Sequence, residues 1–534
     1  MFFSFLELIV VLSQFLALSR PVFCSFFVIF ASNMADNADK NMNTTPGGYG
    51  RVVRYLGIFG GAQSISMLFS MVRNKIAFVL LGAAGFGLIS LYNRTVQLFC
   101  DFTGLSLSLS AVRRMSDAYS NEDEATVVHC VKVVRSIALL TGLAGMLLML
   151  FFSPIVARVT FDADASSIPG LSLLSPVVLF MAVSGGELAV LRGVKQPGRI
   201  ALYTLWTAIS AMLATIPLYL LFGVDGILPS IFLVALLQMA GVLFFSTRLY
   251  AYRANPFSPS LLREGLDIIK LGAGYIYATM LVSGAVWLVY QAITRIGGED
   301  AIGLFSAAYI LVGMLPSILF AAFDSDYYPR LSGIFAQKDE RNAMVNEHVE
   351  AHLLIQVPVI FCVVLLLPWV FPLFFSQEVV PAVQMAQIMA MALLFHIMTY
   401  PMSFLPVSKG DTVTFALQET CYNVAFVLFT VLGYRFYGWT GAGVGMALAR
   451  ALDLIVVYSI ARFRYGFRLS RKAVSHFVLA LFAAAVVLLS VLWGADCPML
   501  RYLGFAVTLV VAIASLVRLT RNSNILSLKR IFKK

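Results

Sequence analysis

The sequence predicts an all-α, polytopic membrane protein with about fourteen transmembrane helices. Of the 534 residues, 60% are hydrophobic and only 12% are charged, which is about half the charged fraction of a soluble globular protein. The apolar residues form repeated runs of the length that crosses a bilayer, and the lysines and arginines concentrate in alternate connections between the runs. Soluble enzyme domains are excluded because no stretch outside these runs is long enough to bury a core.

The predicted helices follow one another along the chain from Tyr55 onward. A helix needs about 20 predominantly apolar residues to cross a bilayer core of about 30 Å. The runs that meet this requirement cover residues 55–80, 85–110, 133–155, 168–191, 200–222, 227–247, 269–293, 301–325, 351–376, 380–406, 413–433, 440–461, 473–493 and 499–517.

The distribution of positive charge predicts the orientation of these spans. Of the 38 lysines and arginines, 29 lie in segments that are cytoplasmic if the chain before span 1 is cytoplasmic, and four lie in the outer loops. A miscounted span would invert every later loop and destroy this asymmetry. Both ends of the fourteen-helix unit are therefore expected on the cytoplasmic side. The net charge of +11 thus reports topology and does not indicate nucleic acid as a partner.

The first 33 residues form an apolar N-terminal extension that does not fit this scheme. Arg20-Pro21 interrupts it, and it lacks the basic start of a secretory signal. The polar stretch beginning at Met34 has the composition of a cytoplasmic N-terminus. We expect the functional protein to begin near Met34, with a fifteenth membrane segment as the alternative.

A weak internal repeat of about 215 residues predicts two lobes. Phe86-Gly87-Leu88 recurs as Ile302-Gly303-Leu304, and the Pro154 turn recurs at Pro372. Each unit holds six spans, an even number, so the two units have the same orientation and are related by an axis along the membrane normal, as in transporters with parallel repeats. The expected organisation is a cytoplasmic segment (34–54), an N-lobe of spans 1–6 (55–250), a cytoplasmic linker (251–268), a C-lobe of spans 7–12 (269–463), a helix pair of spans 13 and 14 (464–518) and a basic cytoplasmic tail (519–534).

Two stripes of polar residues run along spans 1 and 2. Helical spacing places Gln63, Ser66, Ser70 and Arg73 on one face of span 1, and Ser90, Arg94, Gln97 and Asp101 on one face of span 2. Charge at membrane depth is costly and usually faces protein or water. We predict that the two faces line a substrate cavity; the alternatives are an anchoring role for Arg73 and helix-to-helix hydrogen bonding for span 2.

Three acidic residues at or near membrane depth are candidates for ion coupling: Asp101, Asp453 and Glu187. Each also has a structural interpretation. Asp453 lies three positions after Arg450, and the two can neutralise each other within one helix. Glu187 lies near a cytoplasmic loop and can be interfacial.

Motifs for soluble chemistry are missing from the sequence. The six cysteines show no metal-ligand or disulfide spacing, and the chain contains no GxxxxGK[ST] phosphate-binding loop. We therefore expect neither catalysis nor a cofactor, and any energy coupling should use a proton or sodium gradient.

The stretch from Met71 to Tyr92 resembles the opening of bacterial polysaccharide flippases of the O-antigen type, in the multidrug/oligosaccharidyl-lipid/polysaccharide exporter superfamily. In that family a basic residue late in span 1 precedes a Leu-Gly-x-x-Gly-x-Gly turn, which here runs from Leu81 to Gly87. The stretch from Gly104 to Arg113 resembles the family's small-residue end of span 2. Lipid II flippases, which are related, have Asp after this arginine, whereas this chain has Asn74.

The resemblance implies a flippase in the bacterial cytoplasmic (inner) membrane. Its substrate would be an undecaprenyl-diphosphate-linked oligosaccharide, an O-antigen, capsule or similar glycan unit, moved across the membrane by alternating access. The implied partners are this polyprenyl-diphosphate-linked oligosaccharide, membrane lipids and other glycan-assembly membrane proteins. Two other functions stay open: a multidrug/cation antiporter of the same superfamily, which predicts an acidic cavity, and a membrane glycosyltransferase or polymerase, which predicts a large outer loop or a catalytic loop motif.

Overall fold

A computed structural model of the chain describes residues 48–104, 107–121, 123–160, 167–255, 258, 261, 264, 273–493 and 498–521. Every regular element within these residues is a helix, so the predicted all-α class is confirmed. The extension 1–33 and most of the tail 519–534 lie outside the described residues.

The α-helices are α1 (Gly48–Thr103), α2 (Leu107–Ser120), α3 (Glu124–Thr160), α4 (Ser167–Leu173), α5 (Ser175–Gly193), α6 (Pro197–Phe222), α7 (Ile227–Thr247), α8 (Ala273–Gly333), α9 (Lys338–Phe374), α10 (Val383–Lys409), α11 (Thr412–Arg464), α12 (Arg471–Leu492) and α13 (Pro498–Arg521).

Ten helical stretches among the described residues are long and apolar enough to cross a membrane. Four of them span 39 to 53 residues, about twice the length that one crossing requires. Each of the four contains a break in its helical geometry, at Gly82, at the 3₁₀ turn Gly223–Gly226, at Gly298 and at Tyr437–Gly438. The breaks fall at the connections predicted between spans 1 and 2, 5 and 6, 7 and 8, and 11 and 12. The total of fourteen spans stays a prediction.

The backbone repeats with the period seen in the sequence. Gly82 (φ 70°, ψ −173°) and Gly298 (φ 80°, ψ −173°) break α1 and α8 in the same way, 216 positions apart. Gly223 and Gly438 form a second pair, with φ of 56° and 57°. Positive φ is readily adopted by glycine and costly for most other residues. The repeat in conformation is thus independent support for two lobes built on one plan.

The two lobes touch where α1 and α8 turn, an end of the bundle that we call the break end. A Cβ atom on Gly87 would lie 2.4 Å from the carbonyl oxygen of Glu299, and one on Gly303 would lie 1.9 Å from that of Ala83. The absence of side chains at Gly87 and Gly303 therefore lets the two backbones meet. Next to this crossing Ser90 donates a buried hydrogen bond of 2.9 Å to Ser306.

The last two helices form a pair outside the repeat. α12 and α13 pack against each other and against α9 of the C-lobe. At the opposite end of the bundle from the breaks, the loop before α12 is fixed to α9, because Asn346 donates to the carbonyl oxygen of Arg468 at 3.0 Å and accepts from the backbone N–H of Ser470 at 2.7 Å.

Candidate functional site

A polar cavity of about 490 Å³ lies in the N-lobe. Its walls are α1, α5, α6 and α7, and α8 of the C-lobe closes one side. Four of the residues predicted to bind substrate line it, namely Ser70, Arg73, Arg94 and Gln97. The other two, Gln63 and Ser66, lie nearer the N-terminus of α1 and are not part of the lining. The structure therefore brings together the ends of the two predicted stripes that flank Gly82.

The break at Gly82 explains how residues from one helix come to share a cavity. The helical geometry of α1 is interrupted there, and the ring centres of Phe78 and Phe86, on either side of the break, are 5.2 Å apart, so the two halves fold against each other as a hairpin. Arg73 lies nine residues before the glycine and Arg94 twelve residues after it, on facing halves. A straight helix would separate them by about 30 Å.

The charge of this cavity is positive. Of the described residues that line it, Arg73 and Arg94 carry charge and none is acidic. The remaining polar lining is neutral and includes Asn74, Tyr219 and Gln238. Arg73 makes a weak contact with a neighbour, 3.5 Å from its Nη2 to Oδ1 of Asn74. Such a lining suits an anion and disfavours an organic cation.

Arg94 reaches across the gap between the lobes. Its guanidinium lies 5.5 Å from the ring centre of Tyr290 and 5.7 Å from that of Tyr309, both on α8. These distances are within the range of cation–π attraction. Two tyrosines of the C-lobe therefore hold the arginine, and the nearby Asp101 carboxylate also interacts with it electrostatically.

Asp101, a predicted ion-coupling residue, lies beside the cavity and does not line it. Gln97 donates to its Oδ1 at 2.9 Å, and Ser283 of α8 donates to its Oδ2. The carboxylate therefore fixes a lining side chain, Gln97, and joins α1 to the C-lobe.

A second cavity, of about 210 Å³, lies in the C-lobe and is lined by a cluster of charged side chains. Arg450 is its centre: its Nη1 lies 3.6 Å from Asp453 Oδ2 and 3.2 Å from His396 Nδ1, and its guanidinium lies 4.0 Å from the ring centre of Tyr422. Glu419 also lines this cavity. The predicted contact between Arg450 and Asp453 is present, but it belongs to a larger cluster that the sequence did not reveal.

Tyr309 lies between the two cavities. It lines the C-lobe cavity, and its ring faces Arg94 of the N-lobe cavity. Neither Tyr309 nor Tyr290 is predicted from the sequence, because no local motif links Arg94 to an aromatic residue 196 or more positions away.

Glu187, the third predicted ion-coupling residue, has a different position from the one expected. It is 1% exposed and forms a two-pronged ion pair with Arg135, with distances of 2.7 Å and 3.0 Å. Ser246 donates to the same carboxylate, and Arg135 also donates to two backbone carbonyl oxygens. These contacts tie α3 to α5, to α7 and to the residues that follow α7, which is a structural role for Glu187. Ion coupling at Glu187 stays a prediction.

No group of three or more His, Cys, Asp or Glu side chains in the described part of the chain is arranged to hold a metal ion. The chemistry that the two cavities offer is therefore charge and hydrogen bonding.

Comparison with solved structures identifies the fold. The chain superposes on an inward-facing multidrug resistance MATE family transporter of the MOP superfamily with a TM-score of 0.65, at 16% identity over 75% of this chain and 94% of that one. It superposes on the lipid II flippase MurJ in an inward closed conformation with a TM-score of 0.65, at 13% identity over 87% and 99%. A MOP superfamily transporter from Pyrococcus furiosus gives a TM-score of 0.57, at 16% identity over 77% and 96%. The fold is that of the MOP-superfamily transporters.

The family follows from the sequence of the first half of the molecule. A family model described as polysaccharide biosynthesis protein matches residues 52–335, which is more than half of the chain. The chain belongs to this family. A comparison with curated proteins gave no match.

Proposed function

We propose that this protein is a flippase that moves a polyprenyl-diphosphate-linked oligosaccharide, such as an O-antigen or capsule unit, across the bacterial cytoplasmic membrane by alternating access. The observation that carries the proposal is the N-lobe cavity with two arginines and no acidic residue in its described lining. Membership of the polysaccharide biosynthesis family supports the class of substrate.

The physical requirements of the substrate match the lining of the cavity. A diphosphate that crosses about 30 Å of hydrocarbon needs a hydrated and positively charged passage. Arginine stays charged when it is partly dehydrated and offers paired N–H donors to phosphate oxygens. The neutral hydroxyl and amide groups around Arg73 and Arg94 suit the hydroxyls of a sugar, while the prenyl chain can remain in lipid outside the lobes.

We propose that the C-lobe cavity couples transport to a proton or sodium gradient. Asp453 and Glu419 are carboxylates that can exchange a cation, and Arg450 and His396 supply a positive charge and a titratable ring beside them. Tyr309 lines the C-lobe cavity and faces Arg94, so a change of charge around Arg450 would act on Arg94 across a single ring. Asp101 is the second candidate because it joins the lobes.

A multidrug/cation antiporter is the alternative that the fold leaves open. The MOP superfamily transporter from Pyrococcus furiosus is described as having a binding pocket of reversed polarity, which suggests a different function for that protein. Polarity is therefore a better guide to substrate than the fold. An antiporter for organic cations would need a carboxylate in the cavity, whereas the described lining carries Arg73 and Arg94.

We further propose that both ends of the fourteen-helix unit are cytoplasmic, as the charge asymmetry predicts. Single cysteines introduced at Lys195, Lys338 and Lys472 should react with an impermeant thiol reagent only after the membrane is opened. A cysteine at Asp300, which is on the opposite side in this topology, should react in intact cells. A reversed result at any one position would require a different number of spans.

The function itself is tested by deleting the gene and analysing lipid-linked oligosaccharides. The proposal expects these intermediates to accumulate on the cytoplasmic face, and expects wild-type protein, but not Arg73→Ala protein, to clear them. Unchanged intermediates together with a new sensitivity to cationic drugs would favour the antiporter.

A further inference from the structure

A third cavity, of about 330 Å³, lies between the C-lobe and the α12–α13 pair at the break end. It is separate from both cavities described above and shares no lining residue with them. Its walls come from the last turns of α9, the first turns of α10, the end of α12 and the start of α13. Four polar residues line it, Gln384, Gln387, Ser490 and Arg501.

Packing fixes the shape of this cavity. α13 crosses α12 at Gly504, where an added Cβ would lie 2.1 Å from Ser490 Oγ, so the two helices are in direct contact there. Arg501 and Phe505, in the first two turns of α13, line the cavity. The remaining wall includes Val380, in the 3₁₀ turn Gln377–Ala382 that connects α9 to α10.

The exposed aromatic residues around the cavity mark its depth in the membrane. Trp369, Trp493 and Tyr502 are 50%, 56% and 74% exposed and lie within a few residues of helix ends. Tryptophan and tyrosine concentrate at the level of lipid headgroups. The Arg501 guanidinium stacks 4.5 Å from the ring centre of Trp369, which holds its charge at that level.

Two polar side chains of the cavity, those of Arg501 and Gln384, present hydrogen-bond donors to it. Thr440 donates to Oε1 of Gln384 at 3.1 Å, which leaves Nε2 as the donating end of that amide. Gln387 is 2% exposed, and its Nε2 donates to the carbonyl oxygen of Val364 at 2.9 Å, which fixes the side chain in the wall. None of the described lining residues is acidic. One arginine with a neighbouring amide donor is a suitable set for a phosphate oxygen.

We propose that this cavity binds the phosphate headgroup of a membrane lipid, whose hydrocarbon chains lie along the exposed apolar surfaces of α9 and α13. Leu373 on α9 and Leu509 on α13 are each 61% exposed and offer such surface. The phosphate of an anionic phospholipid and that of a polyprenyl phosphate share this chemistry. The proposal does not depend on the transport function, because it uses no residue of the two lobe cavities.

The test measures lipids retained by the purified full-length protein in detergent, using native mass spectrometry. The probes are phosphatidylglycerol, a short polyprenyl monophosphate and the zwitterionic phosphatidylcholine, with inorganic phosphate as a soluble competitor. The variant is Arg501→Gln, which keeps most of the side-chain length and removes the charge. The matched control is Arg435→Gln, because Arg435 is also exposed near a break and does not line this cavity.

Loss of one charged hydrogen-bonding group should weaken retention of the anionic lipids by about tenfold or more, while phosphatidylcholine and the Arg435→Gln protein stay unchanged. A stronger effect on phosphatidylglycerol would assign the site to bulk phospholipid, and a stronger effect on the polyprenyl phosphate would assign it to a carrier lipid. Equal retention by wild type and Arg501→Gln would overturn the proposal. Displacement of both lipids by inorganic phosphate would also overturn it, since the site would then recognise free phosphate.

Discussion

Ser90 and Ser306 occupy equivalent positions in the two halves of the repeat, 216 residues apart, and hydrogen-bond to each other at 2.9 Å in the interior of the protein. Gly87 and Gly303, with the same separation, bring the backbones together beside them. The axis that relates the lobes therefore passes close to this contact. In this structure the lobes are joined at the break end.

Alternating access requires this contact to open during the transport cycle. A Ser90→Cys/Ser306→Cys protein should form a disulfide under mild oxidation and lose transport, and a reductant should restore it. Either single substitution should leave transport near the wild-type level. The measurement is flipping of a labelled substrate in proteoliposomes before and after reduction. Full transport by the cross-linked protein would show that the lobes do not separate here.

Neutralising the C-lobe cluster should separate ion dependence from substrate binding. Asp453→Asn removes a carboxylate that lies 3.6 Å from Arg450, so we expect the acceleration by an ion gradient to disappear. A coupling free energy of about 1–3 kcal/mol means that binding of the ion changes the affinity for the substrate by about 5- to 150-fold, and the variant should lose an effect of this size. Asp300→Asn, an exposed carboxylate outside the cavity, is the control. If Asp453→Asn responds to proton and sodium gradients as wild type does and Asp101→Asn does not, Asp101 is the coupling residue.

The buried ion pair between Arg135 and Glu187 should be important for folding. Glu187→Ala would leave a buried guanidinium without its counter-charge, a change that costs about 3–5 kcal/mol in other proteins. Glu264→Ala, which removes a partly exposed partner of Arg114, should cost at most about 1 kcal/mol. Unfolding in detergent, followed by circular dichroism, compares the two. Similar unfolding temperatures for both variants would contradict the structural assignment of Glu187.

Asp411 makes stability depend on acid pH. Burial would raise the pKa of its carboxyl group, but hydrogen bonds from Thr414, Tyr465 and Arg464 outweigh this and lower the pKa to about 2. An unfolded aspartate has a pKa of about 3.9. The stabilisation is thus complete above pH 4, roughly, and is lost as the pH falls through about 2.

Asp411→Asn should remove this part of the pH dependence while keeping a residue that can cap α11. Asp411→Ala should in addition lose the cap, at a cost of about 0.5–2 kcal/mol. Unfolding curves between pH 7 and pH 2, roughly, provide the measurement. If the stability of the wild-type protein and that of the Asp411→Asn protein fall equally as the pH is lowered, the Asp411 carboxylate is not the source of the pH dependence.

Local sequence patterns predicted the features that depend on helical spacing. The 3.6-residue period places Ser70 and Arg73 on one face, and the apolar runs predict the connections in which Gly82, Gly223, Gly298 and Gly438 interrupt the helices. Periodicity does not reveal where along a helix a cavity ends, and for this reason Gln63 and Ser66 fall outside it. The period also cannot show how far the helices extend beyond the membrane; α3 begins at Glu124, nine residues before the predicted span.

The relationships missed by sequence analysis join residues far apart in the chain. The sequence does not pair Arg135 with Glu187, because nothing local shows that residues 52 positions apart form an ion pair. The position of Tyr309 between Arg94 and the Arg450 cluster follows from the packing of α8 between the lobes. Such contacts arise from tertiary structure and leave no periodic signal.

The central claim is that Arg73 and Arg94 hold the diphosphate of the substrate in the N-lobe cavity. Each charged hydrogen-bonding group contributes about 1.5–3 kcal/mol, so Arg73→Ala or Arg94→Ala should lower the flipping rate by about 10- to 100-fold. Lysine at either position should restore it only in part, because it supplies charge without paired donors. Gln63→Ala, on the same helix but outside the cavity, is the control.

The decisive measurement is the initial rate of flipping of a labelled polyprenyl-diphosphate-linked oligosaccharide in proteoliposomes containing equal amounts of folded protein. The account predicts wild-type rates for Gln63→Ala, intermediate rates for the two lysine variants and severe loss for the two alanine variants. Wild-type rates for both Arg73→Ala and Arg94→Ala would contradict it.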